Sequence, residues 1–425
     1  MPYITGRCKT EYIVTGATGF LGGAVVRELI SRGRSVTALA LPGDPLLPLL
    51  PEGAFVRFGD VTDRASLIPA FEGAEGCRVI HCAGMVSVAA GQGEALGRIN
   101  VQGTDNIAGL CLEYGAKRLV YVSSVHAIPE RPMGEVITEE CRVSPELVHG
   151  AYAMSKAAAN KKVLLAAEKG LDAGIVYPSD IIGPGDRGMG SMTVMLRSFL
   201  RGRLPAGVCG GYDFVDVRDA AAGAVSCADS GRPGEGYILS GRYASIKELL
   251  TLAGRLSGRR APGLFLPRRL AGLAAPIFER RSIRRGEKPF FTPYSISVLG
   301  SNGNFSHKKA SEKKHLTSSA IRRVTCQIRY RIPCVGYPRC LYKKGGLSRP
   351  TLPYLSARHG VPFPFGTYYG RCGLMRIVKF LLARAHAAAL FVAPAVNMPV
   401  HDLYEALHKL PHGPSLVDEV ILRTL

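Results

Sequence analysis

The sequence predicts an α/β protein built on a doubly wound parallel sheet, and three observations carry that expectation. Short apolar runs alternate with helix-period segments from Tyr12 to Tyr177. The first run turns into the first helix through Val14-Thr15-Gly16-Ala17-Thr18-Gly19-Phe20-Leu21-Gly22. Hydroxyl side chains, Ser123 and Ser124, fall at the carboxyl end of a predicted strand, where open sheets of this class bind ligands.

The glycine stretch reads as a phosphate cradle. Gly16, Gly19 and Gly22 leave no Cβ where the strand must turn, where a pyrophosphate must touch backbone N–H groups, and where helix must press on strand. Glycine is abundant, 50 of 425 residues, so the spacing alone is weak. Its context decides the matter: Tyr12-Ile13-Val14 precedes it, and Leu21, Val25, Leu29 and Ile30 line one helix face before Gly33 ends the helix. A bound dinucleotide is the expected consequence.

A chain of 425 residues, 47% of them hydrophobic, can bury a large core and is long enough for two or three domains. With no basic, apolar leader and no long uncharged apolar window, a cytoplasmic location without a membrane partner is expected. Eleven cysteines, an odd count with no Cys-x-x-Cys pair, argue against a zinc site and against a disulfide framework. No metal is expected. The net charge of +21 is unevenly spread: from Lys313 to His401 there are fifteen Lys or Arg and no Asp or Glu, so the remaining 336 residues carry only +6.

In chain order, Ser35 to Ala40 reads as a second strand, whose end normally selects the cofactor. Ala40-Leu41-Pro42 offers neither an acid for a ribose hydroxyl nor an Arg for a 2′-phosphate, so NAD and NADP both remain open. A third strand, Ala54 to Phe58, leads to Asp60 at its end and Asp63 as a helix cap. The strand Arg78 to His81 runs into Cys82-Ala83-Gly84, a second close backbone approach beside the cofactor. Glu94 to Tyr114 has a helical stripe and predicts one long crossover helix, closed by Gly115. The strand Arg118 to Val122 then delivers Ser123 and Ser124.

Tyr152 and Lys156 lie four apart at the head of an alanine-rich helix running to about Lys169. That spacing puts phenol and ammonium on one face, where the cation can lower the tyrosine pKa and bind a ribose. A Tyr-x-x-x-Lys recurs by chance in chains this long, so its place one loop beyond the serine strand is the evidence that it serves proton transfer. After Tyr177-Pro178 a Pro-Gly-rich loop begins the substrate side. Helical spacing near Met192 to Leu200, Ile246 to Leu256 and Leu270 to Phe278 predicts a smaller region closing over the site.

These residues resemble a known family. From Tyr12 to Ala310 the chain looks like an extended short-chain dehydrogenase/reductase of the NAD-dependent epimerase/dehydratase type. The resemblance rests on the glycine loop, Asp60-Val61-Thr62-Asp63, Asn100-Val101-Gln102-Gly103-Thr104, Ser123-Ser124, Tyr152 with Lys156, Pro184-Gly185-Asp186 and Phe214-Val215-Asp216-Val217-Arg218-Asp219. It implies a Rossmann domain over 1–178, with later strands returning to it, and a substrate-binding region over 179–310. It implies Tyr152 as acid/base, Lys156 on the nicotinamide ribose and Ser124 on the substrate oxygen. It also implies a cofactor site of Gly16, Thr18, Gly19, Phe20, Leu21, Gly22, Asp60, Val61, Ala83, Gly84, Asn100, Lys156 and Pro178, with Asp60 toward the adenine. Tyr177 stands where the pattern often has a basic residue before the proline.

Dehydratases of the family carry an Asp-Glu pair after the active-site hydroxyl, and this chain has Val125-His126. The expectation is therefore an NAD(P)-dependent oxidoreductase acting on a secondary alcohol or ketone, in the dihydroflavonol-reductase-like or hydroxysteroid-dehydrogenase-like branch. A nucleotide-sugar 4-epimerase and a non-catalytic dinucleotide sensor are the alternatives. A small-molecule substrate and a homodimer are expected, and a nucleic-acid partner is disfavoured.

The family pattern stops at Ala310. Residues 311–425 form an irregular basic tail rich in proline, for which a shift of reading frame near the lysine-rich codons is the favoured explanation. A basic tail for an anionic partner and an appended module are the alternatives.

Overall fold

The alternating sequence folds into strands whose side chains divide cleanly between two helical layers. The structure is a computed structural model and describes residues 10–312 apart from 88, 90, 287 and 288. Cys8 and the expectations for the tail from Lys313 onward lie outside the described residues. The strands are β1 (Tyr12–Thr15), β2 (Val36–Ala40), β3 (Phe55–Phe58), β4 (Arg78–His81), β5 (Arg118–Val122), β6 (Ala173–Pro178), β7 (Asp180–Ile182), β8 (Ala206–Val208), β9 (Gly211–Asp216), β10 (Gly236–Leu239), β11 (Arg242–Ser245) and β12 (Leu264–Leu266).

Seven of them form one parallel sheet in the order β10-β6-β5-β4-β1-β2-β3. Because strand side chains alternate, Tyr12, Val14, Ile80 and Val120 face one way, onto helices α1 (Phe20–Ser31) and α7 (Val217–Ser230). Ile13, Val79, Leu119 and Tyr121 face the other way, onto α2 (Arg64–Phe71), α4 (Gly103–Glu113) and α5 (Ala151–Glu168). Strands buried on both faces read as continuous apolar runs, which is why they were legible. The order reverses between β1 and β4, and Gly16 and Ala83 meet at that switch point: a Cβ on Gly16 would lie 2.7 Å from Ala83 Cα.

The predicted crossover helix arrives in pieces. A short α3 (Gly93–Leu96) passes through a wide π-type turn, Gly97–Gln102, into α4. The turn carries Asn100 inward, where its amide bonds Met85 and Ser155, and Gly103 packs on Val61, whose Cγ2 a Cβ would approach to 2.8 Å.

Beyond β6 the chain builds a second core. There β7, β9 and β11 form a small mixed sheet and β8 pairs with β12. Around them pack α6 (Ser191–Leu200), α8 (Ile246–Ser257), α9 (Arg268–Arg284) and α10 (Pro293–Val298), through Phe199, Tyr212, Phe214, Leu250, Ala271 and Ile296. A last short helix, α11 (Lys308–Glu312), closes the described chain.

Candidate active site

The glycine loop has the backbone geometry a pyrophosphate needs. Gly16 holds φ +63, a left-handed conformation costly for other residues, and Gly22 sits so close that a Cβ would lie 2.1 Å from Gly16 O. Gly19 precedes α1 as its N-cap, and no side chain caps that helix, so its first-turn N–H groups stay open to an anion. Phe20 and Leu21 open the helix. These residues fit a dinucleotide.

Beneath the loop runs a closed hydrogen-bond relay. The Ala83 N–H donates to Thr15 Oγ1 (3.1 Å), and Thr104 Oγ1 donates to the Asn100 carbonyl (2.6 Å). Thr104 therefore accepts from His81 Nε2 (3.0 Å), leaving bare Nδ1 to accept from the Thr15 hydroxyl (2.7 Å). Burial pushes His81 down to about 3, so the ring is neutral and the relay fixes its tautomer.

Tyr152, Ser124 and Lys156 come together at the carboxyl ends of β5 and β6. The Ser124 hydroxyl is close enough to the Tyr152 phenol to favour its ionised form, and Ser124 accepts from the His126 N–H (3.2 Å). Lys156 is buried, donates to Val122 O (2.8 Å), and lies 4.9 Å over the Tyr121 ring. A Cβ on Gly84 would stand 3.3 Å from Lys156 Nζ and 3.2 Å from Asn100 Oδ1, so any side chain there would crowd both groups by a few tenths of an ångström. Burial pulls Lys156 down to about 8.

The expected lowering of the tyrosine pKa does not occur in this geometry. Burial raises Tyr152 above its ordinary value, the nearby Ser124 hydroxyl opposes the rise, and Tyr294 and Asp180 add to it. Desolvation of the phenolate outweighs its neighbours. Tyr152 is accordingly held as the neutral phenol.

The remaining candidates divide. Asp60, two residues past β3, accepts from the Thr62 backbone N–H (2.8 Å) and hydroxyl (2.9 Å), and Val61 is core, with its carbonyl taken by Asn106 (2.9 Å). Asn100 spends its amide on Met85 and Ser155 and so shapes the Gly84 approach from behind. Thr18 donates to Asp44 Oδ2 at 2.5 Å. Pro178 ends β6 beside Leu239, and Tyr177 turns into the core, where Asn160 donates to its hydroxyl (3.3 Å). His126 stands edge-on to Tyr152, ring centroids 6.3 Å apart, and Asp216 and Arg218 form a bidentate pair.

Sequence reasoning missed three residues here. Asp44 sits over the glycine loop, four residues past β2. Asp180 on β7 acts on Tyr152, Tyr212 and Tyr294, and burial first, then Asp213, pushes it up to about 7. Tyr294 lies against the start of α5, where a Cβ on Gly150 would meet its ring at 2.3 Å. The signal available for Asp180 was an acid inside an apolar run, Asp180-Ile181-Ile182. Further along, a cleft of about 840 Å³ is lined by Asp213, Tyr243, Pro267, Arg268, Leu299 and Phe305 among others.

Comparison with known proteins identifies the family and the fold. The family model described as NAD dependent epimerase/dehydratase family matches residues 12–239. Sterol demethylase protein B of Methylococcus capsulatus is 34% identical over 316 residues, 73% of this chain and 94% of that protein. A putative dihydroflavonol 4-reductase of Synechocystis is 33% identical over 73% of this chain and 91% of its own length. The crystal structure of gox2253 superposes with a TM-score of 0.63 at 31% identity, covering 73% of this chain and 93% of that one. With more than half its length matched by the model and the glycine loop and Tyr-Lys helix in place, the chain belongs to the NAD dependent epimerase/dehydratase family.

Proposed function

We propose that this NAD(P)-dependent enzyme interconverts a ketone and its secondary alcohol, with Tyr152 moving the proton, Ser124 holding the substrate oxygen and Lys156 holding the nicotinamide ribose. The observation that carries the reading is the meeting of three buried side chains: Tyr152 and Lys156 one helical turn apart on α5, and Ser124 just past β5, whose hydroxyl acts on the Tyr152 phenol. The bound nicotinamide supplies or takes the hydride. Tyr152, held neutral by burial, donates to the carbonyl oxygen as charge develops there, and Ser124 keeps that oxygen within reach. Lys156, below its ordinary pKa but cationic at neutral pH, offsets the alkoxide that forms.

Reduction is favoured over epimerisation because the relatives above 30% identity include a named reductase, while the UDP-glucose 4-epimerase of Thermus thermophilus is 21% identical with a TM-score of 0.53 and shares the fold. Tyr152→Phe should lower kcat by about a thousandfold while the dissociation constant for the cofactor stays within about twofold. Turnover of reduced cofactor with a panel of ketones reads this; wild-type rates in the variant would overturn the role.

The Asp44 carboxylate held on Thr18 supports NAD over NADP, since a 2′-phosphate beside it would meet like charge. The expected outcome is a lower KM for NADH than for NADPH, with the ratio shrinking in Asp44→Ala.

A further inference from the structure

Helix α9 is folded inside out. Its buried face is Ala271, Ala275 and Glu279, spaced four apart, whereas Leu270, Leu273 and Ile277 on the opposite face are 57%, 77% and 70% exposed. Single exposed leucines are ordinary, but a stripe of three large apolar side chains, flanked by exposed Phe278 and Ile283, is a patch that water-facing helices avoid. Arg269, Arg280, Arg281 and Arg284 on the helix and Arg285 after it are also exposed, and the helix's one acid, Glu279, is buried. At 1.5 Å per residue the helix presents roughly 25 Å of apolar and cationic surface.

We propose that this outer face of α9 docks the enzyme flat onto an anionic phospholipid membrane, the apolar stripe entering the acyl boundary and the arginines meeting lipid phosphates. Charge selects this occupant. A second copy packed about a two-fold axis would set one row of arginines against another. Residues 313–401 of the same chain contain fifteen Lys or Arg and no acid, and would meet the same repulsion. Anionic headgroups complement both features, since arginine side chains reach phosphates while their stems stay on apolar surface. The mode is peripheral: no described helix is long and apolar enough to cross a membrane. Pro267 and Arg268, at the start of α9, line the cleft of about 840 Å³, so docking sets the cleft's rim near the lipid. The docking does not depend on the catalytic reading.

The test is co-sedimentation of the full chain with vesicles of phosphatidylcholine alone and with about 30% phosphatidylserine, at low and high salt. Pelleting with the anionic vesicles only, weakened by salt, is expected. The double variant Leu273→Glu/Ile277→Glu should reduce it at least about tenfold, and the triple variant Arg280→Gln/Arg281→Gln/Arg284→Gln should remove the preference for phosphatidylserine. Unchanged melting temperature and cofactor binding verify that these exposed changes leave the fold intact. Wild-type pelleting by the double variant would overturn the proposal and assign binding to another basic segment. It would also be overturned if the chain is a dimer that the double variant splits while vesicle binding persists.

Discussion

Helices α5 and α9 both leave large apolar side chains exposed, but they bury different things in their place. The first turns Tyr152, Ser155, Lys156 and Asn160 inward and leaves Met154, Leu164 and Leu165 exposed. The second turns alanines inward and leaves leucine and isoleucine outside. In α5 the buried polar side chains reach partners: Ser155 donates to Tyr152 O (2.7 Å) and accepts from Asn100 (2.9 Å), Lys156 reaches Val122 O, and Asn160 donates to the Tyr177 hydroxyl, with only its Oδ1 left unmatched. Those partners exist because α5 packs against strand ends, where backbone carbonyls and loop amides are free to accept or donate. In α9 the small buried face lets the helix lie close on the second core, and the large side chains have no room beneath it. An inverted pattern thus marks polar work on the inside of one helix and an unpartnered surface on the outside of the other.

The sharpest way to break this comparison is Lys156→Met. If the lysine is buried for function, turnover should fall by about 10²–10⁴-fold while stability in urea stays within about 1 kcal/mol of wild type or rises, because a desolvated charge is removed at the cost of one carbonyl contact. A loss above about 2 kcal/mol would make the lysine structural. The pH dependence has a definite sign. Lys156 has a folded pKa of about 8 against an ordinary 10.5, so between these values the unfolded chain binds more protons and stability rises with pH. The penalty is fully present below about pH 8, up to ~3 kcal/mol for so buried a group, and is relieved above it. Wild type should therefore gain on Lys156→Met from about pH 8 to 10.5, as read from paired urea curves.

A smaller effect separates the two faces of α9. Ala275→Leu, placed under the helix, should cost about 1–3 kcal/mol by overpacking the second core. Ile277→Gln, two residues away on the outer face, should change stability by less than about 0.5 kcal/mol. Equal losses in thermal melts would mean that the outer face is packed.

The sequence by itself determined whatever depends on neighbours along the chain. Glycine spacing fixed a turn that only glycine can make, as the φ of +63 at Gly16 and the 2.1 Å approach at Gly22 show, and apolar runs fixed the strands of the parallel sheet. The four-residue step from Tyr152 to Lys156 fixed their common face. Tertiary structure alone decided what depends on distant parts. It set Asp44 on Thr18, brought Asp180 and Tyr294 to Tyr152, and joined His81 to Thr15 across 66 residues. It reversed the expected tyrosine shift, because desolvation is a property of everything packed around a group. It also chose which side of α9 faces water. Periodicity gives a helix two faces; which of them is buried depends on the shape of the surface it meets.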